Sequence, residues 1–212
     1  MQSFAMMPYP WWVTLLILVP ALNFYFWRRR RLRLGWQTLI FAGLFAAGFG
    51  FVEAAVVLYL RAAIGLLPGY QGTLADVVRL SAGVYEGSQD LRQFPPSLLT
   101  VEVVREAATM VMLLSVAMLA VPRRRERWAM FLWCFATWDV TYYAALWATI
   151  RWPTTLTSSD VLFLIPEPWL APVWFPILVS LLCLVAIATS RAGREQSVEV
   201  EPERSRAASV TS

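Results

Sequence analysis

Histidine and lysine are both absent from this 212-residue chain, and cysteine occurs only twice. Without histidine there is no axial imidazole for haem or chlorophyll, no His-based zinc site and no imidazole for acid–base catalysis. Without lysine there is no retinal Schiff base and no lysine nucleophile. Cys134 and Cys183 fall inside long apolar runs. They read as small buried residues rather than as a disulfide or a metal pair. The sequence also lacks a P-loop, a dinucleotide fingerprint, HExxH, GxSxG and a selectivity-filter motif. Charge is scarce as well, at 15% of residues, where a soluble domain carries about 25%.

What fills the chain instead is apolar: 58% of residues are hydrophobic and the mean hydropathy is +0.56. Runs near the ~30 Å needed to cross a hydrocarbon core cover about 11–27, 36–60, 100–121, 129–150 and 172–190. The expected fold is an all-α integral membrane protein, a five-transmembrane-helix bundle. Residues 1–190 would form a single transmembrane domain and 191–212 a disordered cytoplasmic tail.

All eighteen basic residues are arginines, and their placement sets the orientation. Thirteen follow the first, third and fifth runs: Arg28–Arg31 with Arg33, Arg123–Arg125 with Arg127, and Arg191, Arg194, Arg204 and Arg206. The other side holds Arg61, Arg79, Arg92, Arg105 and Arg151. By the positive-inside rule the N-terminus lies outside and the C-terminus in the cytoplasm. The net charge of +4 is then a topology signal whose partners are membrane lipids, with no nucleic acid implied. No basic residue precedes the first run, so it is expected to stay as a helix rather than leave as a signal peptide. Arginine to the exclusion of lysine points to a GC-rich bacterial genome, hence to the cytoplasmic (inner) membrane.

Between the runs, Thr73-Leu-Ala-Asp76 resembles a capping box, predicting a short helix within an outside loop 61–99. The second outside loop, 151–171, has an apolar part too short to span and bounded by prolines. It predicts a re-entrant or interfacial segment. Pro20 in the first run predicts a kink. In the second run, Gly43/Ala47 and Ala46/Gly50 are small-xxx-small pairs that permit close helix contact.

Function is best approached through the acids inside the runs. A carboxylate at bilayer depth costs roughly 2.5–3.5 kcal/mol on the translocon scale. It must be protonated, paired, bound to a cation or facing water. Glu53, Glu106 and Asp139 lie ~10, ~9 and ~16 Å from the outer ends of their helices, from the rise per residue. Asp139 carries Tyr142 and Tyr143 at i+3 and i+4. Arg61 and Arg105 sit at the outer margin, where burial and arginine act on a carboxylate's charge in opposite directions. These seven residues are the ligand- or proton-binding candidates. Carboxylate and hydroxyl oxygens suit a hard cation or a proton. No catalytic residue is assigned. Trp138, beside Asp139, is a wall for such a site, a seat for a flat molecule such as a quinone, or plain core packing.

The leading expectation is therefore a membrane protein with a carboxylate cavity in its outer half, binding or translocating a cation, proton or small polar solute. Against it stands a purely structural network, with Glu53 or Glu106 paired to Arg61 or Arg105. A second reading is an accessory subunit of a larger membrane complex, or a homo-oligomer, in which the carboxylates meet a partner. A weaker third is an enzyme acting on a lipid or isoprenoid, which the missing histidine, lysine and aspartate-rich motif disfavour.

Overall fold

The structure is a computed structural model that describes residues 7–63 and 96–191, with side chains over 7–59 and 99–191. The capping box at Thr73, the Arg61 side chain and the tail beyond Arg191 lie outside the described residues. The described chain is mostly helical. A 3-10 turn, Trp11–Ile17, leads into α1 (Leu18–Arg29), followed by α2 (Trp36–Ala63), α3 (Pro96–Ala120) and α4 (Arg124–Ile150). A hairpin of β1 (Ser159–Phe163) and β2 (Trp169–Pro172) precedes α5 (Trp174–Thr189).

Among the described residues two helices are long and apolar enough to cross a membrane, over Trp36–Tyr59 and Leu99–Ala120. The count of five spans is not carried by the other three, for different reasons. The α1 helix has 12 residues and α5 has 16, roughly 18 and 24 Å of rise. The α4 helix, at 27 residues, is long enough but not apolar enough. Trp133, Trp138, Tyr142, Tyr143 and Asp139 face protein, because α4 is the central helix, packed on α2, α3 and α5, while Trp128 and Trp147 near its two ends are exposed. Enclosure on several sides removes the need for a lipid-compatible surface.

The α2–α4 contact is the most extensive in the molecule, and small residues make it. Along α2 the buried line runs Leu39, Ala42, Ala46, Ala54 and Leu58, with Gly50 and Glu53 in the same stripe. A Cβ added at Gly50 would lie 2.6 Å from the Trp138 carbonyl oxygen and 3.1 Å from Thr141 Cβ. Only glycine lets the two backbones meet there. Trp133 Nε1 donates to the Leu39 carbonyl at 2.9 Å, closing the other end of the same seam.

Two local expectations change. Pro20 does not kink a continuous helix. It falls in the first turn of α1, after the 3-10 stretch, where its missing N–H leaves no intrahelical bond unmade. Segment 151–171, expected as a re-entrant or interfacial segment, takes the form of a β-hairpin. Its strands pair antiparallel, Ser159 opposite Pro172 and Val161 opposite Leu170, with a register shift between Val161 and Phe163. Tyr9 joins the hairpin edge through two backbone bonds of 2.7 Å to Leu170. At the far end of the bundle, Leu32 N–H donates to the Ser190 carbonyl at 2.9 Å, and the Arg191 guanidinium lies 3.7 Å from the Trp36 ring centroid.

Candidate functional site

Helical spacing brings the polar groups of α3 onto one face. Glu102, Glu106, Thr109, Leu113 and Ala117 recur at intervals of four, three, four and four residues. The last three and Glu102 are buried, and Glu106 is half-buried. The lower part of this stripe packs in the apolar core, and its upper part meets Glu53 of α2. Thr109 Oγ1 donates to Glu53 Oε2 at 3.2 Å. Arg105 forms an ion pair with Glu53 and donates twice to Glu102 Oε2, at 2.8 and 2.6 Å. Glu102 reads in sequence as a shallow residue near the headgroups, yet it is buried and holds one side of Arg105.

The other two acidic candidates are held differently. Asp139 of α4, 7% exposed, accepts from Ser180 Oγ of α5 at 2.8 Å. Glu106 accepts the backbone N–H of Leu164, just past β1, at 2.9 and 3.1 Å. Tyr143 donates to Asp160 Oδ2 of the hairpin at 2.8 Å. Tyr142 lies against both Trp138 and Tyr143, with ring centroids 6.2 and 5.2 Å apart.

These groups surround one cavity of about 100 Å³. Glu53, Arg105, Glu106, Asp139, Tyr142 and Tyr143 all line it, so six of the seven candidates come together and Arg61 lies outside the described side chains. Asp160, Thr109 and Ser180 complete its polar lining. The rest is largely aromatic, including Phe135, Trp138, Phe163 and Trp169. Arg151, counted among the outer arginines, is not part of it. It ends α4 in a left-handed conformation, φ 57°, and stacks on Trp147 at 4.6 Å.

Among the described residues Arg105 is the one cation lining the cavity, and Glu53 and Glu102 both engage it. Glu106 and Asp139 are hydrogen-bonded by neutral donors, an amide and a hydroxyl. The cavity thus combines more carboxylate than guanidinium, and the single neutral donors on Glu106 and Asp139 leave those two carboxylates further acceptor capacity. Among the described residues, no three acidic or thiol side chains cluster closely enough to hold a metal ion directly. Cys134 and Cys183 are free and buried in separate helices.

Sequence reasoning missed three contributors. Ser180 is the only hydroxyl between Pro172 and Thr189, a signal of the same kind as an isolated acid in an apolar run. Asp160 sits where a Thr/Ser stretch gives way to apolar residues, and only strand formation turns it inward. The Leu164 amide left no trace, since any residue but proline offers one.

No family model matches this chain, and neither a curated protein nor a solved structure is similar to it.

Proposed function

We propose that this chain is a membrane-embedded binding or translocation protein whose internal cavity takes a cation, a proton or a small polar solute. One observation carries the reading: Glu106 and Asp139 line a common cavity and take their hydrogen bonds there from neutral donors, with Arg105 acting on Glu106 only through space. A structural network would put a guanidinium on each, as Arg105 does for Glu53. The length and apolar surface of α2 and α3 support membrane insertion, with α4 packed on both, α5 on α4 and α1 on α5. The arginine bias supports an N-terminus outside and a cytoplasmic C-terminus in a bacterial inner membrane. In that orientation the cavity lies in the outer half, near the C-terminal end of α2 and the N-terminal end of α3.

Cavity size favours this reading over an enzyme of lipids or isoprenoids. About 100 Å³ is well below the ~300–1,000 Å³ typical of pockets for drug-sized ligands. A role as an accessory subunit draws no support from the carboxylates. Glu53 and Asp139 are 6% and 7% exposed and point at the bundle's own residues.

The test is thermal unfolding of the detergent-purified protein across pH and a panel of mono- and divalent cations, with Glu53→Gln, Glu106→Gln and Asp139→Asn alongside. A binding site gives one stabilising condition that the variants lose together. If no condition stabilises the wild type, and each variant is merely less stable or unchanged, the proposal fails.

A further inference from the structure

We infer that the ligand of this cavity is a small hydroxyl-bearing organic ammonium, an amino-alcohol head of a few heavy atoms; the inference rests on the cation reading above and narrows it. The ammonium is called for above all by Asp139, which accepts from a neutral hydroxyl, and then by Glu106, which accepts from a neutral amide and feels only through space the Arg105 that is paired with Glu53 and Glu102. A carboxylate with spare acceptor capacity in a desolvated site favours a donor that carries charge.

The hydroxyl is called for by a different set of atoms. Trp138 is 8% exposed and lines the cavity, and its buried Nε1–H has no acceptor among the described residues. Trp169, which also lines the cavity, carries a second buried Nε1–H in the same condition. A tryptophan N–H can only donate, and a buried donor without a partner is costly. Neither a metal ion nor a simple alkylammonium has a lone pair to offer. A hydroxyl oxygen does, while its own proton can go to a carboxylate.

The carbon skeleton fits the remaining surface. Phe135 packs on Trp138 at 5.5 Å and on Phe163 at 6.2 Å, and Phe163 packs on Trp169 at 5.2 Å between centroids. A continuous aromatic wall beside carboxylates suits an organic cation, whose methylene groups and positive end both favour π-systems. A cavity of about 100 Å³ suits a small ligand, since pockets for drug-sized molecules run to ~300–1,000 Å³. Direct metal chelation is the poorer fit, because no three acidic side chains converge among the described residues. A free amino alcohol carries this chemistry whole, whereas the head of an aminophospholipid shares only the ammonium and its methylene groups, its hydroxyl oxygen being esterified to phosphate with no proton to give.

The experiment uses the full chain in nanodiscs of phosphatidylglycerol, with binding followed by calorimetry and thermal unfolding. The probes are ethanolammonium, ethylammonium, ethylene glycol and sodium ion. Ethanolammonium is expected to bind about tenfold more tightly than ethylammonium, the usual worth of satisfying a buried donor, and ethylene glycol not at all. Trp138→Phe keeps an aromatic ring and removes the N–H. It should bring the two ammonium ions to about equal affinity, the ratio between them being the readout, and Trp169→Phe offers the same comparison should that variant not fold. Discs of phosphatidylethanolamine test the esterified head: a raised unfolding midpoint there, with the response to added ethanolammonium abolished, makes a lipid ammonium the ligand and overturns the free hydroxyl, whereas continued binding of ethanolammonium supports the inference. Equal affinity for the two ammonium ions in the wild type, or a preference that survives loss of both N–H groups, overturns the inference. A response to sodium or protons alone overturns it while the broader cation reading stands. No response to any of these in either disc composition, or to pH, removes both.

Discussion

The Leu164 amide donates to both oxygens of Glu106, at 2.9 and 3.1 Å, and so ties the loop of the hairpin to the upper part of α3. The register shift after Val161 sets this up, because it takes the chain beyond Phe163 out of the ladder and frees the next amide to point elsewhere. Glu106 is thereby both a cavity wall and the hairpin's anchor. Hydrogen bonds to charged groups contribute about 1.5–3 kcal/mol. Glu106→Ala should therefore loosen the hairpin by an amount in that range, and Glu106→Gln, which keeps one acceptor, by less. Hydrogen exchange at the Leu164 amide reads this directly. Protection that is equal in wild type and Glu106→Ala would show that the bond contributes nothing.

Arg105 holds Glu53 and Glu102 together, one guanidinium between two helices. Removing one partner of a buried ion pair costs about 3–5 kcal/mol, since the other charge is stranded, whereas removing both is often nearly neutral. Arg105→Met should thus unfold far more readily than wild type, and Arg105→Met with Glu53→Gln should recover a large part of the loss. Chemical or thermal unfolding of the four members of this cycle gives the coupling. Simple additivity would mean that the pair is not energetically linked.

Much of this arrangement is conspicuous in the order of residues alone, and the parts that are not share a cause. Glu53, Glu106 and Asp139 stand out because an acid in an apolar run has no cheap explanation, and 3.6-residue periodicity says which neighbours share its face. Ala46 and Gly50 stand out for the same geometric reason. The hairpin does not, because a short apolar run ended by Pro166 and Pro168 is equally compatible with a strand and with a re-entrant turn. Its contributions to the cavity, Asp160, Phe163, the Leu164 amide and Trp169, depend on strand register, which single-sequence periodicity does not fix. The central position of α4 is hidden too. A helix enclosed by other helices and one facing lipid differ in partners rather than in length. The lower hydropathy of 129–150, with its three tryptophans, two tyrosines and Asp139, is legible as enclosure only once those partners are known.

Orientation is testable with the cysteines. Cys134 and Cys183 are buried, so a Cys134→Ala, Cys183→Ala background should fold and label poorly, leaving single introduced cysteines to report topology. Thr154, in the segment between α4 and β1, and Arg123, between α3 and α4, are both exposed. An impermeant maleimide applied to intact cells should label Thr154→Cys, and Arg123→Cys only after permeabilisation. The opposite pattern would invert the topology and place the cavity toward the cytoplasm.

The close approach of two backbones at Gly50 makes the sharpest stability prediction. Gly50, Gly43 and Gly48 lie on one helix, yet a methyl group at each meets different surroundings. At Gly50 it would strike backbone, the Trp138 carbonyl oxygen at 2.6 Å and the Tyr142 nitrogen at 3.2 Å. Two helix axes would have to separate, and overpacking of this kind costs about 1–3 kcal/mol. At Gly43 the methyl would meet Trp133 Nε1 at 3.2 Å, and that nitrogen is held by the Leu39 carbonyl, so the indole must yield and weaken its bond. At Gly48 nothing lies within 4 Å, and replacing glycine by alanine in a helix gains up to ~1 kcal/mol. The expected order of unfolding midpoints is Gly48→Ala at or above wild type, Gly43→Ala below it and Gly50→Ala lowest. Separation of α2 from α4 also widens the cavity between Glu53 and Asp139, so Gly50→Ala should weaken ligand binding as well as stability, and Gly48→Ala should change neither for the worse. If Gly50→Ala were as stable as Gly48→Ala, the tight α2–α4 seam would not be what positions the two carboxylates.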